Sequence, residues 1–341
     1  MGCVYMQETI LVLGGAGYIG SHTAYLLAKK DYRVIILDNF LHNQPFDHSW
    51  ATVIRGDYGD QNLLGRIFAT HPITAVMHFA GFISVGESIK KPALYYENNI
   101  TKTITLLNTM LENAVDTIIF SSSAAVYGIP TCIPIPEDHI KLPINPYGQT
   151  KLMIEHILTD YAHAYGLRFV ALRYFNAAGA LAEHNLGEFH NPETHIIPLA
   201  IHAALNNNSF SVFGNTYQTP DGTCIRDYVH VADIAHAHAL ALDYLQRGNK
   251  SSSFNLGTGS GYSVQEIIQS VNRITNHMLH EVIKPARAGD PAVLVADASK
   301  AHRILNWQPK HSDLKTIINS AYQSIIQNNV QTCDTGHQIT I

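Results

Sequence analysis

Tyr147 and Lys151 stand four residues apart in "PYGQTKLMIEHIL", a spacing that places both side chains on one face of a helix. A phenol, with an ordinary pKa of about 10, is a poor base at neutral pH, and a nearby ammonium favours its ionised form. Ser123, in "FSSSAAVYG", ends the polar run after an apolar strand pattern and is placed to hydrogen-bond a substrate oxygen. Together the three residues are a candidate acid/base set for removing a hydroxyl proton beside a hydride-carrying cofactor. Spacing alone does not single out this pair, because Tyr25 and Lys29 repeat it in "YLLAK". Tyr25 falls inside a helix read as packing on a sheet, whereas Pro146 marks a helix start just before Tyr147.

Elements that position such a set are visible from residue 10 onward. Short β-branched runs ("ILVLG", "RVIILD", "AVMHFAG", "TIIFSSS") alternate with longer helical patterns such as "YIGSHTAYLLAKK". Buried parallel strands need crossover helices between them, so this order predicts an α/β fold with a Rossmann-type doubly wound parallel sheet. The alternation gives way near residue 175 to "NAAGALAEHNLGEFHNPETH", a loop-like stretch. We therefore expect a cofactor domain over 1–175, to which segments around 228–258 return, and a smaller C-terminal α/β substrate-binding region over 176–341. Long loops at the carboxyl ends of the strands would form the ligand site.

After the first strand, "GGAGYIG" matches G-x-x-G-x-x-G through Gly14, Gly17 and Gly20. Glycines there allow a tight turn, close approach to a pyrophosphate and helix–strand packing, and the following helix presents free N–H groups to the phosphates. The second strand ends in Asp38, 18 residues after Gly20, where a carboxylate can accept hydrogen bonds from ribose hydroxyls and repel a 2′-phosphate. That favours NAD over NADP.

Composition removes other classes. A formal net charge of −5 without basic runs gives no electrostatic footprint for nucleic acid. No apolar stretch approaches the roughly 20 residues that span a bilayer, and the N-terminus has no basic-then-apolar leader, so a cytoplasmic protein is expected. "MGCVYM" has Met6 where N-myristoylation needs Ser or Thr. Cys3, Cys132, Cys224 and Cys333 are too scattered for a disulfide framework or a zinc site. His236 and His238 point in different directions on a helix, and no metal is expected.

The ordered set GGAGYIG, LDN, GDY, HFAG, SSSAAVYG, PYGQTK, RYFNAAG and RDYVHV, with "KPALYYENN" and "DGTCIRDYVHVADIA", resembles the extended short-chain dehydrogenase/reductase family, and within it the UDP-hexose 4-epimerases, from about Ile10 to Trp307. The resemblance implies NAD-dependent interconversion of UDP-galactose and UDP-glucose through a 4-keto intermediate, with Tyr147, Lys151 and Ser123 catalytic. It carries NAD contacts onto Gly14, Gly17, Tyr18, Ile19, Gly20, Asp38, Asn39, Asp57, Tyr58, Phe79, Ala80, Gly81, Asn98, Tyr147, Lys151 and Phe175. It carries the UDP-sugar onto Ser123, Asn176, His195, Ile196, Phe213, Arg226, Arg287, Asp290 and Leu294, with both arginines on the diphosphate. It also implies a homodimer formed through the helices containing Tyr96 to Glu112 and following Tyr147.

Departures from the family pattern carry expectations of their own. Ile83 stands where many relatives carry a lysine near the cofactor, which predicts looser NAD retention. The segment between Asp38 and Asp57 is short, leaving the adenosine-side contacts open, and His195 replaces an asparagine as donor. Leu294 stands where a bulky tyrosine makes a tight sugar pocket, which predicts room for UDP-N-acetylhexosamines. Ala124 and Ala125 take the acidic positions a dehydratase needs. A UDP-glucuronate 4-epimerase and a non-catalytic NAD-binding regulator of the same fold are the alternatives.

Overall fold

A computed structural model describes residues 7–41, 49–190, 192–287 and 290–334. "MGCVYM", with Cys3, lies outside the described residues, as does the Cys333 side chain.

The chain alternates as its apolar pattern requires. Strand β1 (Thr9–Leu13), helix α1 (Tyr18–Lys29), β2 (Arg33–Asp38) and β3 (Ala51–Arg55) are followed by α2 (Gln61–Thr70) and β4 (Ile73–His78). Two short helices, α3 (Val85–Lys90) and α4 (Pro92–Tyr96), run through a widened turn at Glu97–Thr101 into α5 (Lys102–Glu112). Then come β5 (Thr117–Ser123), α6 (Pro146–Tyr165) and β6 (Arg168–Tyr174). The remainder comprises β7 (Asn176–Ala178), α7 (Ile196–Leu205), β8 (Ser209–Phe213), β9 (Ile225–Arg226), β10 (Tyr228–His230), α8 (Val231–Gln246) and β11 (Ser252–Leu256). It ends with β12 (Tyr262–Ser263), α9 (Val264–Thr275), β13 (His280–Lys284), β14 (Val293–Leu294) and α10 (Leu314–Asp334).

Seven strands form one sheet in the order β11-β6-β5-β4-β1-β2-β3, every pairing parallel. Such strands are buried on both faces, and "ILVL" and "VIIL" are fully apolar for that reason. One face packs on Ala24 and Leu27 of α1 and on Ile234, Ala237 and Leu242 of α8. The other packs on Leu64 and Ile67 of α2, Leu106 and Met110 of α5, and Ile154 and Leu158 of α6. The strand order reverses between β1 and β4, the crevice where open α/β sheets bind ligands.

A second core gathers α7, α9 and α10 around β8. The chain crosses between the two cores more than once. β11 pairs with β6 at the sheet edge, and Ala298, Ala301, Leu305 and Trp307 pack into the core under α1 and α8, so residues 298–307 join that core alongside the segment around 228–258. Trp307, fully buried, donates its indole N–H to the Asp233 carbonyl at 2.8 Å. Among the described residues no helix is long and apolar enough to cross a membrane.

Candidate active site

The start of α6 is fixed by its own sequence. Asn145 caps it, its side chain accepting the Gly148 N–H at 2.8 Å, and Pro146 occupies the first turn, where no N–H is needed. A Cβ at Gly148 would lie 2.5 Å from the Ala125 carbonyl oxygen, so only glycine lets the helix press against the turn that follows β5. That turn is opened by Ser123, whose hydroxyl accepts the Ala125 N–H at 3.2 Å. The same contact brings Tyr147 close to Ser123, whose hydroxyl favours the ionised phenol.

Lys151, one turn on, is 3% exposed and donates from Nζ to the Ser121 carbonyl at 2.7 Å. Its ammonium lies 5.9 Å from the Tyr147 ring centroid and 4.9 Å from that of Phe120. Burial pushes the amine down to about 7. Burial also pushes the Tyr147 phenol up, opposed by the hydrogen bond from Ser123. The expected depression of Tyr147 by Lys151 is therefore not set up by the chain alone. Both groups are withdrawn from water, and desolvation favours the neutral form of each.

A buried brace holds this corner. Glu155, one turn beyond Lys151, meets Arg173 of β6 at 2.8 Å and 2.5 Å, and accepts from Ser122 at 2.6 Å. Arg173 also donates to the Tyr127 hydroxyl at 2.9 Å and to the Glu137 carbonyl at 3.0 Å. Asn99, in the widened turn, clamps Phe82 through both its N–H and its carbonyl and donates to Thr150 at 3.1 Å. These bracing residues were missed in the sequence, because nothing local signals a contact across elements.

On the cofactor side, α1 begins at Gly17 with no side-chain cap, leaving its first-turn N–H groups to a ligand. A Cβ at Gly20 would fall 2.2 Å from the Gly14 carbonyl oxygen, so the turn and the helix meet backbone to backbone. Asp38 accepts the Ala16 N–H at 2.9 Å and the Phe40 N–H at 2.8 Å, which ties the end of β2 to the glycine turn. Uncapped N–H groups, a cradle without side chains and an acidic residue beside it fit a dinucleotide. Asp57 bonds Lys102 at 2.6 Å and the Gly59 N–H at 2.8 Å, and Asn39 approaches it at 3.5 Å. Tyr58 donates to the Asn98 carbonyl. Phe79 and Ala80 donate from their backbone to Leu13, bringing Gly81 to the same sheet edge, and Ile83 is exposed nearby. The Tyr18 hydroxyl turns away to the Gly179 carbonyl at 2.6 Å, so Tyr18 can offer the cradle its backbone rather than its phenol. Tyr25 bonds His184 at 3.0 Å, remote from Ser123 in its contacts, as an ordinary helix residue would.

The positions expected to meet a UDP-sugar lie beyond β6, on β7, β8, β9 and β14 and at the start of α7, with Arg287 and Asp290 between β13 and β14. Asn176 opens β7, its N–H on the Asp227 carbonyl at 2.9 Å, and Phe175 precedes it. Arg226 pairs with Asp290, and the Arg287 guanidinium lies 4.3 Å over the Phe213 ring. Buried Asp227 ties this corner to Thr258, Gly259 and Ala296. Leu294 pairs in register with Arg226 and packs, with Phe175, against Val126, Tyr127 and Leu152. That puts it beside the turn that carries Ser123. His195 caps α7 ahead of Ile196, and its Nδ1 lies 2.8 Å from Glu188 and 2.9 Å from Glu193. Despite burial, those two carboxylates push the imidazole up to about 10. Neither glutamate was singled out in the sequence, although "GEFHNPETH" alternates acids with histidines.

Known proteins resemble this chain over most of its length. The profile described as the NAD dependent epimerase/dehydratase family matches residues 10–257. A UDP-glucose 4-epimerase of Halalkalibacterium halodurans is 49% identical over 314 residues, covering 92% of this chain and 94% of that protein. The crystal structure of the UDP-glucose 4-epimerase from Brucella ovis in complex with NAD is 47% identical, with a TM-score of 0.90 over 92% of this chain and 97% of that one. The enzyme of Stenotrophomonas maltophila, solved with bound NAD and formylated UDP-arabinopyranose, is 38% identical, with a TM-score of 0.90 over 96% of this chain and 100% of that one.

Proposed function

The chain belongs to the NAD dependent epimerase/dehydratase family, and we propose that within it Ser123, Tyr147 and Lys151 interconvert UDP-galactose and UDP-glucose at C4. The observation that carries this reading is the junction of α6 with the turn after β5, where the tyrosine, serine and lysine meet at the carboxyl end of the parallel sheet. NAD held by these residues would supply reversible hydride exchange at C4, with no net oxidation of the sugar. Tyr147 takes the 4-hydroxyl proton and returns it. Ser123 hydrogen-bonds the same oxygen and favours the phenolate. Lys151, protonated when an anionic partner is present, adds to that effect and bonds the nicotinamide ribose.

The glycine turn and α1 hold the pyrophosphate, Asp38 the adenosine ribose, and Asp57, Tyr58, Asn98 and Phe175 line the cofactor side. Arg226 and Arg287 neutralise the diphosphate, with Asn176, His195, Ile196, Phe213 and Asp290 around it. We divide the chain functionally into the parallel-sheet part, including its late-returning segments, and a UDP-sugar part. A homodimer through α5 and α6, and a cytoplasmic location, belong to the same proposal.

Incubation of the purified protein with UDP-galactose, without added NAD and then with it, tests the reading by chromatography of products. UDP-glucose without accumulation of NADH is the expected result. NADH accumulation, or no turnover even with NAD, would overturn it.

A further inference from the structure

Between residues 188 and 195 one loop brings four metal-ligating side chains to a point. Glu188, His190, Glu193 and His195 each offer a donor atom within 4.8 Å of the others. The His195 Nδ1 lies 2.8 Å from Oε1 of Glu188 and 2.9 Å from Oε1 of Glu193, and the His190 Nδ1 lies 3.3 Å from that same Glu188 oxygen. Both carboxylates are withdrawn from water, their side chains 7% and 13% exposed. The His190 Nδ1 atom is shielded from water, and its approach to Glu188 falls short of a well-formed hydrogen bond.

Internal pairing leaves this cluster imperfectly satisfied. Two carboxylates largely withdrawn from water meet two imidazole nitrogens, and the His190 Nδ1 approaches Glu188 without a well-formed hydrogen bond, an unfavourable arrangement away from water. A divalent cation at the point of convergence satisfies all four groups. It neutralises both acids, gives the His190 Nδ1 a partner and leaves both imidazoles neutral. Bonds of about 2.0–2.1 Å to four tetrahedral donors set neighbouring donors about 3.3 Å apart; three pairs here stand at 2.8, 2.9 and 3.3 Å and all lie within 4.8 Å, so small side-chain shifts complete the set. Two ring nitrogens with two carboxylate oxygens suit zinc-class ions rather than magnesium or calcium, which take all-oxygen sets. The orientation is supported from outside the cluster as well. Oε1 of Glu193 accepts the Thr194 N–H at 2.6 Å and the His195 N–H at 2.7 Å, which holds its carboxylate in place against the imidazole.

We propose that Glu188, His190, Glu193 and His195 bind one divalent cation of the zinc class, which pins the loop to the start of α7. The pin also reaches the cofactor side. The His190 ring lies edge-on to Tyr18 with centroids 6.4 Å apart, and Tyr18 opens the helix that follows the glycine turn. An ion on the His195 Nδ1 fixes its Nε2 as an N–H donor, the state its proposed substrate contact requires. That last clause rests on the proposed function, whereas the metal site does not.

The test uses the full-length protein, stripped with EDTA, dialysed against zinc and analysed for metal, with thermal unfolding followed in zinc and in magnesium. The wild type is expected to keep about one equivalent of zinc more than His190→Gln and Glu193→Gln, each binding at least about tenfold more weakly. Zinc, and not magnesium, is expected to raise the wild-type unfolding midpoint and to leave the variants unmoved. Each variant's near-ultraviolet circular dichroism establishes that it is folded, and two variants guard against one failing to fold. Equal zinc content and equal midpoint shifts in wild type and variants would mean adventitious binding to surface histidines and would overturn the proposal. So would the absence of bound zinc. Neither readout depends on turnover, so a failed epimerase assay leaves the result intact.

Discussion

Glu155 and Arg173 form a two-pronged ion pair, nearly closed to solvent, between α6 and β6. Their side chains are 6% and 4% exposed, and Lys151 lies one helical turn before the glutamate. Removing one partner strands a buried charge, which typically costs about 3–5 kcal/mol, whereas replacing both by apolar groups is often neutral. Arg173→Met is therefore expected to lower unfolding stability by about that amount, with Arg173→Met/Glu155→Leu recovering most of it. Urea unfolding of the two variants checks this, and equal losses in both would refute the account.

Tyr147→Phe removes the proton acceptor and leaves the packing of α6 intact. Turnover of UDP-galactose is expected to fall by about 10²–10⁴-fold, the usual contribution of a positioned acid/base. Binding of NAD, followed by fluorescence titration, should change little. A variant that kept wild-type turnover would remove Tyr147 from the chemistry.

For Lys151 the sign of the pH effect follows from burial. Its folded-state pKa of about 7 lies below the ordinary 10.5, so between those values the unfolded chain binds more protons and stability rises with pH. Below pH 7 the destabilisation by the buried amine is complete, and above 10.5 it vanishes. In the cofactor-free protein, Lys151→Met should be the more stable form near neutrality. Its advantage should shrink by at most about 1.4 kcal/mol per pH unit as pH rises through that window. Unfolding midpoints of both proteins at pH 7, 8 and 9 provide the comparison. A gap that widened with pH would contradict the burial argument.

Gly20→Ala drives a methyl group against the Gly14 carbonyl. The turn and α1 must move apart, at about 1–3 kcal/mol of stability, and the phosphate cradle loses its shape. NAD titration should show affinity at least about tenfold weaker. Unchanged affinity would mean that the pyrophosphate does not lie there.

How much of this was legible beforehand follows from the range of each signal. The parallel sheet, the glycine turn with Asp38, and the Tyr147–Lys151 face are written in periods and spacings of a few residues, and a local pattern survives folding. Bonds such as Glu155–Arg173, 18 residues apart, and Asn99–Thr150, 51 apart, join different elements, where no period operates. The Lys151 amine illustrates the same limit in electrostatics. Its partner was evident from i, i+4 spacing, but its protonation is set by Phe120 and by the strands around it. The acids flanking His195 lie in a loop, where spacing does not say which side chains converge.

Leu294→Tyr addresses the sugar pocket. Leu294 packs with Phe175 beside the turn bearing Ser123, and if the sugar binds there as proposed, a tyrosine at this position would crowd a 2-acetamido group. Turnover of UDP-N-acetylgalactosamine is expected to drop at least about tenfold relative to UDP-galactose. If wild type and variant treat both sugars alike, Leu294 does not set the choice.

The sheet's outermost strand, β11, is made long after its neighbour β6, and Trp307 later still. During synthesis on the ribosome the parallel sheet therefore waits with an open strand edge at β6 while residues 175–251 are being made. An exposed parallel edge is an aggregation hazard until its partner arrives. Cutting the gene near codon 175 would accordingly yield two insoluble fragments rather than two working modules, and chaperone demand should peak before the last quarter of the chain emerges.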